Sequence, residues 1–528
     1  MKIKCPLSAA ARRNPEATAI RQDAESLSFA QLDAAVAQAS AFMKAEGCRA
    51  GSYVALLMPN TPRTVVCLLA LVRLGAIACP LNTRNPPQVL RGQLRRLGCR
   101  RLIAPHREAE ALDEPGVAFL DPEALSRCEN HRIRKVAMER DPPVSSTCGR
   151  AKDWEGRRPS SRPPISSRLL NDGRHDEIFD QHTLFLDPGR PAVALFTSGS
   201  TATPKVALLT LGNLVSNAQA SNQVNSLRTG DCWLLSLPLF HVGGLGILFR
   251  CLESGAAVAV GRKAETLGEA LARYPISHMS LVPTQLQRLL DERLDPEIAA
   301  RLKCILLGGA PASDALVRQA LQAGLPVRKT YGLTEMASQV TAVAPSAPAD
   351  KQLTAGRLLP GCELMAGKDG ELWVRGTTRF AGYVEAGRVD CPFDAGGWFA
   401  TGDLGRLDSE GYLTVLGRKD NLFITGGENV QPEEIEEALC ALEGVAQALV
   451  VPVEDREFGL RPVAFVRMAT GTINEQELGR RLQAVLPRYK IPLRFFAWPD
   501  AAQGLELKVS RAVFIRHAVA RITSESSI

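Results

Sequence analysis

Residues 195–205 read L-F-T-S-G-S-T-A-T-P-K, a stretch rich in hydroxyls that comes at the end of a short apolar run beginning at Ala192. Backbone N–H groups and hydroxyls in such a loop can surround phosphate oxygens, and a terminal lysine strengthens those hydrogen bonds. The alternative is a flexible surface loop between a strand and a helix. A Walker P-loop is disfavoured because Pro204 stands where that motif needs glycine. The stretch predicts a site for a nucleoside triphosphate, with the candidate residues Thr197, Ser198, Gly199, Ser200, Thr201 and Lys205.

Length and cysteine usage limit the class of protein. A chain of 528 residues exceeds the roughly 250–300 residues at which one core stops growing, so at least two domains are expected. The 13 cysteines are scattered, odd in number and without a C-x-x-C pair, which favours reduced thiols over disulfides or a zinc site. The N-terminus has no apolar signal core, so we expect a cytoplasmic protein. Residues 232–249 are apolar, but Pro238, His241 and internal glycines argue against a membrane span.

The net charge of +7 is concentrated in one segment. Residues 132–174 contain 11 Lys/Arg and five Asp/Glu, so the rest of the chain is nearly neutral. This segment has little apolar periodicity and predicts a flexible insert. An RNA-binding tail is the alternative, but the R-R-P-S-S-R-P-P stretch at 157–164 contains no aromatic residue to stack on bases. We therefore expect no nucleic-acid partner. The sequence leaves open whether the protein is a homo-oligomer.

Hydrophobic periodicity predicts an α/β fold. Helical and strand-like patterns alternate over residues 1–125 and again from 192 to 282, which implies mainly parallel sheets covered by helices. Residues 370–416 change to short strands and glycine turns, typical of a small β subdomain. A compact α+β unit follows. We predict a large N-terminal domain over 1–418 and a small mobile C-terminal domain over 419–528.

Six further segments follow the opening loop in order. They are L-P-L-F-H at 237–241, L-G-G-A at 307–310, Y-G-L-T-E at 331–335, T-G-D at 401–403, G-R-K-D at 417–420 and K-V-S-R at 508–511. Together with the loop, they resemble the acyl-adenylate-forming superfamily of acyl-CoA synthetases, luciferases and peptide-synthetase adenylation domains. The resemblance extends from about residue 8 to 515, interrupted by the basic segment. It implies an enzyme that uses ATP, Mg²⁺ and CoA.

For several motif residues, the chemistry of the side chain allows an ordinary structural role as well as the role that the resemblance implies. Glycines in L-G-G-A let backbone approach a flat ring, which the resemblance makes adenine, although a tight turn explains them equally. Thr334 and Glu335 offer hard oxygen ligands for Mg²⁺, or else begin a capped helix. Asp403 matches the family's ribose contact and is otherwise a turn aspartate. The candidate nucleotide and metal residues are Gly308, Gly309, Ala310, Tyr331, Gly332, Thr334, Glu335, Asp403 and Arg418.

The C-terminal residues carry roles that the resemblance alone implies. Lys508 matches the lysine that stabilises charge on the phosphates during adenylation, although a lone lysine is ordinarily a solvated surface residue. Asp420 matches the hinge about which the C-terminal domain turns after adenylation. A glycine-rich segment then lines the pantetheine channel for CoA, and its candidate residues are Gly426, Gly427 and Glu428.

Three segments, at 280–290, 420–436 and 504–511, are most similar to the o-succinylbenzoate–CoA ligases of menaquinone synthesis. That acid has a second carboxylate, on its aromatic ring, which needs an anchor. Arg250 at the end of an apolar helix suits it, because a buried guanidinium is costly without an anion. The alternatives are that Arg250 caps its own helix or pairs with Glu253. Other candidate substrate residues are His241, Ser280 and Thr284.

Two positions depart from the family pattern. Ala202 and Val206 stand where the family usually has glycine, and an alanine forced into a left-handed backbone costs about 1–2 kcal/mol. Slower ATP use is therefore expected. Besides the o-succinylbenzoate ligase, the sequence leaves two alternatives: another aryl- or acyl-CoA synthetase, or a nucleotide-binding protein with weak or no catalysis.

Overall fold

The computed structural model describes residues 2–23, 25–124, 184–197, 204–292, 294–385, 387–469, 472–499 and 511–525. Two large sheets form most of the N-terminal part. The first has eight strands, whose spatial order is Arg388–Asp390, Gly382–Glu385, Lys205–Thr210, Pro191–Thr197, Ile77–Pro80, Tyr53–Leu56, Arg101–Ile103 and Ala118–Leu120. Its last five strands are parallel, and the three at the other end are antiparallel.

The second large sheet has nine strands and the same arrangement of a parallel centre with antiparallel ends. Its spatial order is Arg357–Leu358, Ser338–Ala342, Val327–Leu333, Cys304–Leu307, His278–Leu281, Cys232–Leu234, Ala257–Ala259, Thr18–Gln22 and Glu25–Ser28. A separate pair joins Ile3–Lys4 to Phe185–Leu186. Both large sheets therefore change from parallel to antiparallel pairing beside a predicted motif, at Thr197 in the first and at Leu333 in the second.

Helices cover both faces of the two large sheets. Those between the sheets are Pro6–Arg13, Phe29–Ala45, Pro62–Leu74, Leu211–Asn225 and Val242–Ser254, and their apolar residues share one core with both sheets. Pro87–Leu97 and His106–Leu112 cover the outer face of the first sheet. Leu267–Arg273, Pro283–Asp291, Pro296–Arg301 and Asp314–Gln322 cover the outer face of the second. Five layers result, as expected for parallel sheets buried on both sides.

Two smaller sheets complete the chain. An antiparallel sheet contains Cys362–Ala366, Glu371–Gly376, Phe399–Leu407 and Leu413–Arg418. The C-terminal unit has a five-stranded sheet of Phe423–Thr425, Glu428–Val430, Val445–Asp455, Gly459–Met468 and Phe495–Ala497, with helices Pro432–Cys440, Glu475–Gln483 and Arg511–Glu525. One-turn 3-10 helices lie at Thr334–Met336, Ala349–Lys351, Lys419–Asn421 and Arg488–Lys490. The predicted α/β class with a small β subdomain and an α+β C-terminal unit is confirmed.

The strand Lys205–Thr210 was not predicted from the sequence. It pairs antiparallel with Pro191–Thr197, so the chain forms a second strand of the first sheet before it reaches the helix Leu211–Asn225. The basic segment 132–174 lies outside the described residues. Each of the 11 described cysteines is a free thiol, and nine of them are buried. Within the described part of the chain, no helix combines the length and apolar character needed to cross a bilayer.

Candidate functional site

Two of the phosphate-loop candidates, Thr197 and Lys205, lie at the end of the hairpin formed by Pro191–Thr197 and Lys205–Thr210. Thr197 is the last residue of its strand and pairs with Lys205, the first residue of the next, and the Thr197 hydroxyl donates to the Lys205 carbonyl at 3.4 Å. Ser198, Gly199, Ser200 and Thr201 lie outside the described residues. Because strand pairing in the sheet fixes the ends of both strands, Thr197 and Lys205 are held at the edge of a rigid platform.

Tyr383 joins the phosphate loop to the predicted metal ligand. The Lys205 ammonium nitrogen lies 4.8 Å from the centroid of the Tyr383 ring, and the Tyr383 hydroxyl donates to Glu335 Oε1 at 2.7 Å. Tyr383 is not among the residues predicted from the sequence, because only the pairing of Ala207 with Tyr383 across two strands brings it here. No short-range pattern in the sequence reveals that pairing. The structure thus brings Lys205 and Glu335 to two sides of one aromatic ring.

Glu335 is held by a tight hairpin at the end of the strand Val327–Leu333. This strand pairs antiparallel with Ser338–Ala342, and the register shifts at Gly332. A Cβ at Gly332 would lie 1.9 Å from the Ser338 carbonyl oxygen, so only glycine fits there. Thr334 and Glu335 form a single 3-10 turn, not the start of an α-helix. The Glu335 carbonyl accepts from the Phe380 amide at 2.8 Å, which fixes the backbone beneath the carboxylate.

The L-G-G-A segment follows the buried strand Cys304–Leu307. A Cβ at Gly308 would lie 2.8 Å from Thr330 Cγ2 and 3.0 Å from the Thr330 carbonyl, and Gly309 has φ +80°. Gly308 therefore permits a close approach, and Gly309 adopts a left-handed backbone that disfavours a side chain. Ala310 is exposed beside them. Both readings of this segment, a tight turn and a flat surface beside a ring, agree with this geometry.

Asp403 is the centre of a charged hydrogen-bond group. Its Oδ2 accepts from the Tyr331 hydroxyl at 2.7 Å, and its Oδ1 accepts from Arg418 Nη1 at 3.0 Å. Burial and the neighbouring Asp403 carboxylate raise the pKa of Tyr331, which keeps its hydroxyl protonated as a donor. Burial opposes the charge on Arg418, but the carboxylates of Asp403 and Asp420 outweigh it and raise its pKa. The predicted ribose and base residues therefore lie together and support one another.

Arg250 is a buried cation without a carboxylate partner among the described residues. Its side chain is 2% exposed, and Nη2 donates to the Ser338 hydroxyl at 3.1 Å. The guanidinium carbon lies 5.4 Å from the Trp233 ring centroid, and Nε has no hydrogen-bond partner within the described structure. Burial lowers the pKa of Arg250 to about 10. The guanidinium neither caps its own helix nor pairs with Glu253, whose carboxylate accepts from Gln219 instead.

The other substrate candidates lie at strand ends of the second large sheet and at helix starts beside it. Ser280, on His278–Leu281, is buried, and its hydroxyl has no partner in the part of the chain that is described. His241 precedes the helix Val242–Ser254 and packs against Phe240 with ring centroids 4.6 Å apart. Thr284 lies in the first turn of Pro283–Asp291. Ser280 thus has a buried hydroxyl whose hydrogen-bonding capacity is unused within the described structure.

The hinge and CoA-channel candidates lie where the chain enters its C-terminal unit. Asp420 is in the turn Lys419–Asn421, with its carboxylate 3.4 Å from Arg418 Nη2. Gly426 and Gly427 have φ +55° and +86° and form an exposed hairpin tip with Glu428. Two positive φ values suit the tight hairpin turns that favour glycine. Lys508 lies outside the described residues.

Comparison with protein families identifies the chain. The AMP-binding enzyme model matches residues 7–384, and the model of the AMP-binding enzyme C-terminal domain matches residues 434–502. The chain belongs to the AMP-binding enzyme family. Most of the nucleotide candidates lie within the first match. Asp403 and Arg418 lie between the two matches.

Individual relatives and solved structures show which members of this family the chain is similar to. The 2-succinylbenzoate–CoA ligase of Salmonella typhimurium is 36% identical over 498 residues, which cover 94% of each chain. An arginine-to-lysine variant of E. coli MenE with bound OSB-AMS is 30% identical, with TM-score 0.77 and 98% of both chains covered. The o-succinylbenzoate CoA synthetase MenE from Bacillus subtilis, in complex with the acyl-adenylate intermediate OSB-AMP, is 28% identical with TM-score 0.76, covering 97% of this chain and 99% of that one. The Bacillus enzyme has also been solved with ATP and a magnesium ion.

Proposed function

We propose that this chain is a 2-succinylbenzoate–CoA ligase of menaquinone biosynthesis that uses ATP and Mg²⁺ and releases AMP and pyrophosphate. Family membership supports the adenylating chemistry, and relatives named for this reaction cover nearly the whole chain. The complexes of the Bacillus enzyme with ATP and magnesium and with the acyl-adenylate support the order of events. The reaction has two steps, which different parts of the chain serve.

In the first step a carboxylate oxygen of the acid attacks the α-phosphorus of ATP. A new P–O bond forms, the bond to the β-phosphate oxygen breaks, and pyrophosphate leaves with the electron pair. Lys205 and the hydroxyls of residues 197–201 bind the triphosphate, while Asp403 and Arg418 hold the ribose. We assign Lys508 to the negative charge that accumulates on the departing pyrophosphate.

The residues present fit a magnesium ion held beside the phosphates. Glu335 and Thr334 supply hard oxygens on one turn, and Oε2 of Glu335 makes no hydrogen bond in the described structure. No group of three or more His, Cys, Asp or Glu side chains among the described residues suits a metal. One carboxylate with phosphate oxygens is a usual arrangement for Mg²⁺, which when bound neutralises phosphate charge. Glu335 would hold such an ion beside the triphosphate.

In the second step the CoA thiolate attacks the acyl carbonyl carbon of the adenylate. A C–S bond forms, the C–O bond to phosphate breaks, and AMP leaves. We propose that the C-terminal unit, residues 419–528, turns about Asp420 between the two steps. This turn removes Lys508 from the phosphates and brings the Gly426–Gly427–Glu428 hairpin tip to the pantetheine channel.

Arg250 is the observation that carries the choice of acid. A cation that is 2% exposed, with a hydroxyl and an aromatic ring as partners, makes the electrostatic potential of its surroundings positive. A second carboxylate on the acid offsets the cost of burying that charge, whereas a monocarboxylic acid does not. Ser280 adds a buried hydroxyl with unused hydrogen-bonding capacity. Both features favour an acid with two carboxylates.

A carboxylate panel tests the proposal. Purified protein is incubated with ATP, Mg²⁺ and CoA together with 2-succinylbenzoate, 3-benzoylpropionate, benzoate or a medium-chain fatty acid, and AMP and the acyl-CoA are measured by chromatography. We expect turnover to be highest with 2-succinylbenzoate. The matched control is 3-benzoylpropionate, which lacks only the carboxylate on the ring. Equal turnover of these two acids would instead indicate a general aryl-CoA synthetase.

A second measurement separates catalysis from nucleotide binding alone. Ala202, which replaces a usual glycine of the phosphate loop, motivates the alternative of a protein that binds ATP with weak or no catalysis. Exchange of labelled pyrophosphate into ATP reports the first step without CoA. ATP binding without exchange for any acid of the panel would support that alternative and contradict the ligase.

A further inference from the structure

Tyr383 contacts both charged groups that face the triphosphate in the proposed function. Its ring lies beneath the Lys205 ammonium at 4.8 Å, and its hydroxyl donates to Glu335 Oε1 at 2.7 Å. Lys205 begins a strand of the first large sheet, whereas Glu335 lies in the 3-10 turn that joins two strands of the second. Tyr383 is therefore a single side chain that relates the position of the phosphate-binding lysine to that of the metal-binding carboxylate.

The fold holds the Tyr383 ring firmly. Its strand, Gly382–Glu385, pairs antiparallel with Lys205–Thr210, so the backbone of Tyr383 is joined to the strand that begins with Lys205. Phe380 packs edge-to-face against the ring with centroids 4.9 Å apart, and Phe399 lies 6.5 Å away. The Phe380 amide also binds the Glu335 carbonyl. Backbone and side-chain contacts thus both fix the Tyr383 ring relative to the Glu335 carboxylate.

We propose that Tyr383 is a positioning residue for magnesium-bound ATP. Its hydroxyl occupies Oε1 of Glu335 and so directs Oε2 toward the metal, and its ring holds Lys205 beside the phosphates by a cation–π contact. The proposal rests on the proposed function, because it assumes that Glu335 binds Mg²⁺ on ATP. Tyr383 takes no part in bond making or breaking.

The two contacts of Tyr383 lead to different expectations for two substitutions. Tyr383→Phe removes the hydroxyl but keeps the ring, so it affects only the metal-dependent part of ATP binding. Loss of a hydrogen bond that orients a metal-ligating carboxylate typically lowers metal affinity about tenfold or more. Tyr383→Leu also removes the aromatic face beneath Lys205. It should weaken ATP binding about two- to fivefold even without metal, the size of an exposed cation–π contact.

Calorimetry of ATP binding, without acid or CoA, tests both expectations on the full chain. The dissociation constant is measured with excess Mg²⁺ and again with EDTA. For Tyr383→Phe we expect a rise of about tenfold with Mg²⁺ and no change with EDTA. For Tyr383→Leu we expect a rise under both conditions. Tyr53→Phe is the matched control, because Tyr53 lies four strands from Tyr383 in the same sheet and should bind as the parent does.

Glu335→Ala completes a double-mutant cycle. If Tyr383 acts through Glu335, adding Tyr383→Phe to Glu335→Ala changes the Mg²⁺-dependent affinity no further. An equal rise for Tyr383→Phe with and without Mg²⁺, an unchanged affinity, or additive effects in the cycle would each overturn the proposal. A failure of the proposed function would be seen in the parent protein instead. Its ATP affinity would then not depend on Mg²⁺, or it would turn over none of the acids in the panel.

Discussion

Replacing Arg250 by methionine tests how this chain recognises its acid. Methionine is an unbranched side chain that fills much of the same space without charge. The change removes the donor to the Ser338 hydroxyl and the contact with the Trp233 ring, and it leaves both partners in place. It therefore isolates the positive charge that the proposed function assigns to the second carboxylate of the substrate.

The pKa of Arg250 gives the size of the free-energy cost of burying its charge. Burial lowers it to about 10, which corresponds to about 3 kcal/mol of unfavourable burial of charge. Because the folded-state pKa of this base is depressed, the cost is fully present below about pH 10 and disappears only near its ordinary pKa. A bound carboxylate offsets this cost. We expect Arg250→Met to lower kcat/KM for 2-succinylbenzoate about 100- to 1000-fold, the 3–4 kcal/mol typical of a lost buried charge partner.

The assay compares two acids and the free protein. With 3-benzoylpropionate, kcat/KM should change less than about threefold, because that acid has no ring carboxylate to lose an attraction. The melting temperature of the free variant should equal or exceed that of the parent, since the uncompensated charge is gone. An equal loss of kcat/KM for both acids, together with a lower melting temperature, would show that Arg250 maintains the fold rather than selecting the acid.

Further substitutions test the remaining assignments. Lys508→Ala should lower pyrophosphate exchange about 100-fold or more while leaving thioester formation from preformed acyl-AMP within about threefold; equal loss of both steps would contradict its role. Asp403→Asn should raise the dissociation constant of ATP about tenfold, measured by calorimetry, because the amide accepts more weakly from Arg418 and from the ribose. Ala202→Gly should raise kcat/KM for ATP about five- to thirtyfold if that position needs a left-handed backbone, and unchanged kinetics would show that it does not. Val206→Gly should lower the midpoint of urea unfolding, since it removes a buried side chain worth about 1.5–3 kcal/mol, and an unchanged midpoint would contradict the packing described for it.

Local sequence patterns were sufficient to predict those helices and strands whose structure depends mainly on their own residues. The apolar residues of Phe29–Ala45 recur at helical spacing, and glycine follows Pro62–Leu74 and Val242–Ser254 where those helices end with a left-handed residue. The antiparallel strand Lys205–Thr210 could not be told from its own residues, because its short apolar run leads directly into the helix Leu211–Asn225. Its partner strands come from residues 191–197 and 382–385, and the latter are separated from it by more than 170 positions.

Within the candidate site, neighbouring residues that belong to recognisable motifs could be predicted from the sequence, whereas neighbours brought together by strand pairing could not. Tyr331 and Asp403 were placed at the nucleotide by separate motifs, and the structure joins them through one hydrogen bond of 2.7 Å. Tyr383 was not predictable, because its two contacts arise from strand pairing and from the hairpin that carries Glu335. The partner of Arg250 also required the structure: Ser338 lies on a neighbouring strand at φ +129°, a backbone conformation unusual for serine.

Val206 shows why a departure from a family pattern must be judged from the fold. A glycine is needed only where the backbone has positive φ or where a Cβ would clash, and Val206 meets neither condition, since it is absent from the described non-glycine residues with positive φ. It pairs with Phe196 across the hairpin, and its side chain is fully buried in the core that covers the outer face of the first sheet. A β-branched residue suits such a strand position. The valine therefore stabilises the hairpin that carries Lys205, and its burial gives no reason to expect slower ATP use from this position.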